Sequence, residues 1–221
     1  MNTRLRSYSL TLVAGVVGAL LVRSYVLTAY KVPTGSMQPV LKPGDFIFSY
    51  RRAYQFQWPE ALRFLNSNQI RRGQVIVFTF PTQPQTQYVK RVLGLPGDKI
   101  EFEGERLKIN GEFLQYEKAS ESDNAENNPN SEAFELVMES GKGLNHMIII
   151  GKQAGGSSKI GPISVPDGHV FVLGDNRGTS DDSRDWGTVP FDRIIGKVTL
   201  VWMSFGSGGK IRWRRILKTL D

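Results

Sequence analysis

The sequence predicts a mostly β protein: an antiparallel β-sheet core with an inserted smaller β-rich subdomain, preceded by one N-terminal transmembrane helix. Three observations carry this reading. Residues 7–30 form an apolar stretch whose single charge is Arg23. Beyond it, short β-branched or aromatic runs recur between Gly, Pro and Asp residues, the pattern of strands between turns. Between residues 117 and 132 the composition shifts to Glu, Ser and Asn with almost nothing to bury, which marks an exposed or disordered excursion.

Residues 1–6 carry Arg4 and Arg6, and by the positive-inside rule they are expected to stay cytoplasmic. A helix over residues 7–30 would span about 36 Å at roughly 1.5 Å per residue, enough for a hydrocarbon core of about 30 Å. Its apolar quality is strong over 10–22 and mixed after Arg23, which is expected to snorkel to the outer interface. A cleavable signal peptide is the competing reading, because Arg4 and Arg6 precede the apolar stretch and Thr28 and Ala29 offer small residues. The segment around Ser36 follows at once, so an uncleaved signal anchor is favoured. Strands are expected at 45–48, 74–78, 88–93, 170–173 and 198–205, and a short helix within 55–70 around Pro59 and Leu62. Asn110-Gly111 between apolar residues signals a type I′ hairpin. The expected organisation is a core of 31–110 and 162–209, an insertion at 111–161 that is partly disordered, and a basic tail at 210–221. With its Trp213 and flanking arginines, the tail fits an interfacial membrane segment and a solvated terminus equally well.

Composition excludes several classes of function. The formal net charge is +7, but the excess sits at the ends. Arg4, Arg6 and Arg23 precede the core, and Lys210, Arg212, Arg214, Arg215 and Lys218 outweigh Asp221 in the tail, leaving 31–209 close to neutral. No basic face suited to nucleic acid is expected, whereas basic ends suit an anionic membrane surface. The absence of cysteine rules out thiolate nucleophiles and zinc–thiolate sites. The two histidines, His146 and His169, lie in no metal-ligand spacing, and His169 sits at a turn-to-strand entry. No metal or cofactor is expected.

Three segments carry chemistry. Ser36 stands in Pro33-Thr34-Gly35-Ser36-Met37-Gln38-Pro39, at the foot of the apolar segment. Lys90 stands in the strand-like run Tyr88-Val89-Lys90-Arg91-Val92-Leu93. The third is Gly174-Asp175-Asn176-Arg177, followed by Ser180, Asp182 and Arg184. A serine hydroxyl needs a neighbour to accept its proton, and a lysine can do so only when neutral. Burial in an apolar pocket would lower its pKa from the usual value of about 10.4. Strand alternation puts Lys90 and Arg91 on opposite faces, so that at most one is expected to point into the core. Each piece alone also has an ordinary explanation. Ser36 could be a turn residue, Lys90 an edge charge, Met37 a core filler, and Asp182 with Arg184 a local ion pair. The acidic loop has its glycine and distal glutamate misplaced for calcium.

Taken together and in this order, the segments resemble the type I signal peptidases of bacteria and cyanobacteria, membrane serine proteases that remove signal peptides from exported proteins. The resemblance covers 30–43, 72–100 and 166–190, and is densest over residues 90–98 and 174–177. It implies that Ser36 is the acylating nucleophile and Lys90 the general base. The Ser36 backbone N–H and the Thr34 hydroxyl would form the oxyanion hole; the family often has serine at the latter position, and threonine keeps the donor. Ser180 would orient the lysine amine, Asp182 and Arg184 would brace its loop, and Asp175 and Arg177 would support it. Val32, Pro33, Met37, Tyr88 and Val89 would line the substrate cleft. The implied substrates are exported preproteins cut after Ala-x-Ala. The implied place is a plasma or thylakoid membrane, crossed once, with the catalytic domain outside and the lipid bilayer as partner. Two other readings remain at this point. A self-cleaving repressor would need a DNA-binding N-terminal domain where the apolar segment stands, and a peptide-binding β-domain would not need the serine and lysine.

Overall fold

The computed structural model describes residues 8–9, 11–18, 27–50, 70–120, 134–151 and 159–220. Its strands in chain order are β1 (Leu27–Lys31), β2 (Asp45–Tyr50), β3 (Val75–Thr79), β4 (Gln87–Gly94) and β5 (Lys99–Glu103). Next come β6 (Arg106–Ile109), β7 (Glu112–Phe113), β8 (Gln115–Lys118), β9 (Phe134–Gly141) and β10 (Leu144–Gly151). The last are β11 (Lys159–Ser164), β12 (His169–Leu173), β13 (Val189–Pro190), β14 (Ile194–Ser204) and β15 (Lys218–Thr219). The expected mostly β, antiparallel core is present.

An eight-stranded sheet runs β1-β2-β14-β3-β4-β12-β13, with β15 paired to β14. Two smaller sheets accompany it, β10-β9-β8 and β11-β5-β6-β7. β2 alternates buried with half-buried residues, as a strand with one covered face does. β3 differs: Val75, Ile76, Val77 and Phe78 are all buried. Val75 and Val77 pack with Met37, Leu41, Ile47 and Val198, while Ile76 and Phe78 pack with Val92, Val170 and Val172. The middle of the sheet is thus covered on both faces, and each fully buried side chain of this size contributes about 1.5–3 kcal/mol. β5 and β6 close a third cluster with Leu93, Phe171 and Leu173. At the expected hairpin, Asn110 and Gly111 both have positive φ, 55° and 81°, as a type I′ turn requires.

Several expectations change. Residues 11–18 are helical, but β1 begins at Leu27, so a helix cannot continue to residue 30. Thr28 and Tyr30 pair instead with Ser49 and Ile47 of β2. No helix among the described residues is long and apolar enough to cross a membrane. Most of the helix expected within 55–70, and the excursion from residue 121 to 132, lie outside the described residues. The basic tail is not wholly solvated. Arg215 is buried and paired with Asp45, and β15 joins the sheet, because Asp45 is a buried carboxylate that needs a cation. Trp213 and Leu217 stay exposed, at 73% and 71%.

Candidate active site

The connection from β1 to β2 carries Ser36. Val32 and Met37 pack into the core on either side of it, and the N–H of Gln38 donates to the carbonyl of Gly35. Asn176 fastens this loop to the one after β12: its backbone N–H donates to the Ser36 carbonyl at 3.0 Å and its side-chain amide to the Gly35 carbonyl at 3.3 Å. The Thr34 and Ser36 hydroxyl oxygens stand 3.4 Å apart.

β4 presents Lys90 to the same place. Ser36, Thr34, Val32, Pro33, Met37, Tyr88, Val89 and Lys90 all line one cleft of about 480 Å³. Lys90 is 3% exposed, and its Nζ donates to Ser180 Oγ at 2.7 Å. Burial lowers its pKa to about 8, with Arg184 adding to the effect, while Asp182, Asp181 and Asp175 hold it from falling further. A lysine there is substantially neutral in mildly alkaline solution, which an exposed one is not.

The loop after β12 is built around Asp182. Its carboxylate accepts from the N–H of Gly174 at 3.0 Å and from Arg184 Nε at 2.9 Å, and it caps the one-turn helix Ser183–Trp186. Burial pushes this carboxyl up, but the Arg184 guanidinium and these donors outweigh burial and hold it below the usual range. Gly174 is required here: a Cβ would fall 2.1 Å from Ser180 Oγ and 2.4 Å from the Ser36 carbonyl oxygen. Tyr88 donates to Asp181 at 2.9 Å, closing the cleft wall between β4 and this loop.

The reverse face of β4 corrects the expectation that only one of its two cations is inside. Arg91 is also 3% exposed, and it grips Asp175 through two bonds of 2.7 Å. Both are inside because each face has its own cover: Lys90 meets Ser180 in the Ser36 cleft, and Arg91 meets Asp175, which His146 of β10 approaches from the other side. Arg177 does not meet Asp175 directly; it pairs with Glu139 of β9, which is fully buried and also accepts from Tyr116 at 2.9 Å. His146 of β10 lies among these groups, its Nε2 3.4 Å from Glu139 and 3.8 Å from Asp175. Burial, Arg91 and Arg177 keep its pKa well below the ordinary histidine value, so the ring is neutral.

Sequence reasoning missed Asn176, Glu139 and His146. Asn176 had a signal, since it lies inside the Gly-Asp-Asn-Arg run. Glu139 and His146 had none beyond single polar residues within apolar runs. Among the described residues no group of His, Asp and Glu is arranged to hold a metal ion.

A β-rich protein with a serine loop and a buried lysine sharing one cleft has the makings of a hydrolase, and sequence comparison supplies the family. The chain belongs to the signal peptidases, peptidase S26, whose family model matches residues 5–203, and it is a serine endopeptidase of that family. It is 36% identical to signal peptidase I of Pseudomonas fluorescens over 198 residues, covering 84% of this chain and 68% of that protein. Signal peptidase I of Rickettsia typhi is 31% identical over 210 residues, with 88% and 77% covered. The crystal structure of a signal peptidase I from Enterococcus faecalis aligns with a TM-score of 0.37 at 28% identity, over 59% of this chain and 97% of that one.

Proposed function

We propose that the protein removes signal peptides from exported preproteins with a Ser36/Lys90 dyad, cutting after Ala-x-Ala. The observation that carries the reading is Lys90: a lysine 3% exposed, with a pKa lowered to about 8, in the wall of the cleft that also holds Ser36. Ser36 Oγ attacks the scissile carbonyl and its proton passes to neutral Lys90 Nζ. The ammonium so formed gives the proton to the leaving amine. Water then releases the signal peptide from the acyl-enzyme, with Lys90 again the base. The Ser36 N–H and the Thr34 hydroxyl stabilise the oxyanion, a contribution of several kcal/mol when such donors are preorganised. Ser180 orients the amine. The extended substrate lies between the backbone near Val32 and that near Val89, and shallow subsites admit small side chains.

The apolar segment ahead of β1 anchors the enzyme in the bilayer, with the N-terminus cytoplasmic and the catalytic sheet outside. Exposed Trp213 and Leu217, among Arg214 and Lys218, suit contact with the same surface.

The test incubates wild type and Ser36→Ala in detergent with a preprotein whose signal ends in Ala-x-Ala, and reads product masses. Cleavage after the second alanine by wild type alone is expected. Cleavage by Ser36→Ala, or an active Lys90→Ala, would overturn the dyad.

A further inference from the structure

A second cavity, of about 330 Å³, opens on the far side of β4 from Ser36, where the β9–β10 hairpin folds over the lead-in to β3 and the middle of β14. Its wall contains four basic side chains, Arg71, Arg72, Arg91 and Lys197, together with Asn145 and His146. Two of the cations have carboxylate partners, Arg72 with Asp98 at 2.9 Å and Arg91 with Asp175 at 2.7 Å. No ion pair among the described residues engages Arg71 or Lys197, so the cavity keeps an excess of positive charge. Arg91 spends three of its five N–H groups, on Asp175 and the Gly73 carbonyl.

The second observation is independent of charge. His146 is 8% exposed; its Nε2 stands 3.4 Å from the Glu139 carboxylate without a formed hydrogen bond, and its Nδ1 has no hydrogen-bond partner. Buried polar atoms in native proteins are nearly always partnered, and one in a cavity wall points to a guest that completes its bonding. Guanidinium, ammonium, amide and imidazole N–H groups converging on one space are a donor set for a tetrahedral oxyanion. A carboxylate would leave part of it unused.

We propose that this cavity is a binding site for a phosphate-type oxyanion, carried by free phosphate or by a phospholipid headgroup. Nδ1 of His146, the ring nitrogen that does not face the Glu139 and Asp175 carboxylates, offers its N–H to the anion, and Arg71 and Lys197 supply the charge that no carboxylate balances. The site is separate from the serine–lysine cleft and does not depend on the protease reading.

The test titrates the full-length chain, in non-ionic detergent at low salt, with inorganic phosphate. Calorimetry measures affinity, and nitrogen NMR follows the His146 ring. Wild type is expected to bind saturably with displacement of the His146 ring resonances, and Arg71→Ala/Lys197→Met to bind at least about tenfold more weakly. Ser36→Ala should bind like wild type, which separates this site from the fate of the dyad. If vesicles of phosphatidylcholine with phosphatidylglycerol displace the phosphate and pure phosphatidylcholine does not, the natural source is a headgroup. Displacement by neither assigns the site to free phosphate. Absence of saturable binding, undiminished binding in the double variant, or an unmoved His146 signal would overturn the proposal.

Discussion

If Lys90 is the base of the proposed dyad, it serves chemistry at the expense of stability. Its folded pKa of about 8 lies below the unfolded value of 10.5. Between those two values the unfolded chain binds the extra proton, so stability rises with pH across that window; below it the full cost of burying the ammonium is felt. Lys90→Met is therefore expected to stabilise the fold at pH 7 by about 1–3 kcal/mol, part of the gain being lost because Ser180 Oγ forfeits its partner. By a pH of about 10 the advantage should shrink, and urea melts at the two pH values decide it. An unchanged advantage would show that the lysine is not buried charged below its pKa. The same ionisation should govern catalysis: kcat/KM for a preprotein is expected to rise with pH through about 8 and then level off. A profile flat from pH 6 to 10 would remove Lys90 as the base.

The unit that assembles the site is the loop from Gly174 to Arg184, and it acts on the serine loop by steric fit. Gly174→Ala inserts a Cβ 2.1 Å from Ser180 Oγ and 2.4 Å from the Ser36 carbonyl oxygen, so both must move. Misplacement on that scale costs about a hundredfold in rate, expected here in kcat with the circular dichroism spectrum retained. Asn176→Ala loses one amide bond to Gly35 but keeps its own N–H on Ser36, and about a tenfold loss is expected. Equal activity in both variants would mean that the two loops are not mechanically joined. The loop itself was legible in the sequence, because Gly, Asp and Asn in a short run with Ser180, Asp182 and Arg184 is dense local chemistry. Strands with strong apolar runs, such as β3 and β12, were legible for the same reason, and so was the Asn110-Gly111 turn. β9 and β10 were not. Glu139 and His146 interrupt their apolar patterns, and both are buried only because Arg177, Arg91 and Asp175 arrive from distant parts of the chain. That Lys90 and Arg91 are both inside depends on Ser180 and Asp175, which reach opposite faces of β4 from a distant part of the chain, and alternation along β4 cannot reveal them.

At the scale of the whole molecule, the two ends of the described core are tied by one buried pair. Asp45 opens β2, and Arg215 lies 170 residues later, its Nε 3.1 Å and its Nη2 2.5 Å from the two carboxylate oxygens. Ser204 and the N–H of Lys42 also donate to Asp45, at 2.6 Å and 2.8 Å, and Arg215 reaches the Val40 carbonyl at 2.8 Å. Burial pushes this carboxyl up, but Arg215 and the other donors outweigh burial and hold it below the usual value of 3.8. Its contribution to stability is therefore present above that value and is lost as pH falls through the folded pKa. The same pair sets the floor of the Ser36 loop, since Val40 and Asp45 lie on the chain leaving it. Arg215→Ala leaves the buried carboxylate only the longer ion pair to Arg212, at 3.8 Å, and a loss towards the lower end of about 3–5 kcal/mol is expected at pH 7, with the acid transition moved to higher pH. Asp45→Asn/Arg215→Met removes both charges while keeping an acceptor for Ser204, and it should recover at least about 1 kcal/mol relative to the single variant. Urea midpoints of the two variants and wild type measure both quantities. If Arg215→Ala costs less than about 1 kcal/mol, the tail is an ornament on the sheet. If the double variant is no better than the single, what the tail supplies is the packing of Leu220 and the β14–β15 pairing, and the charges are incidental.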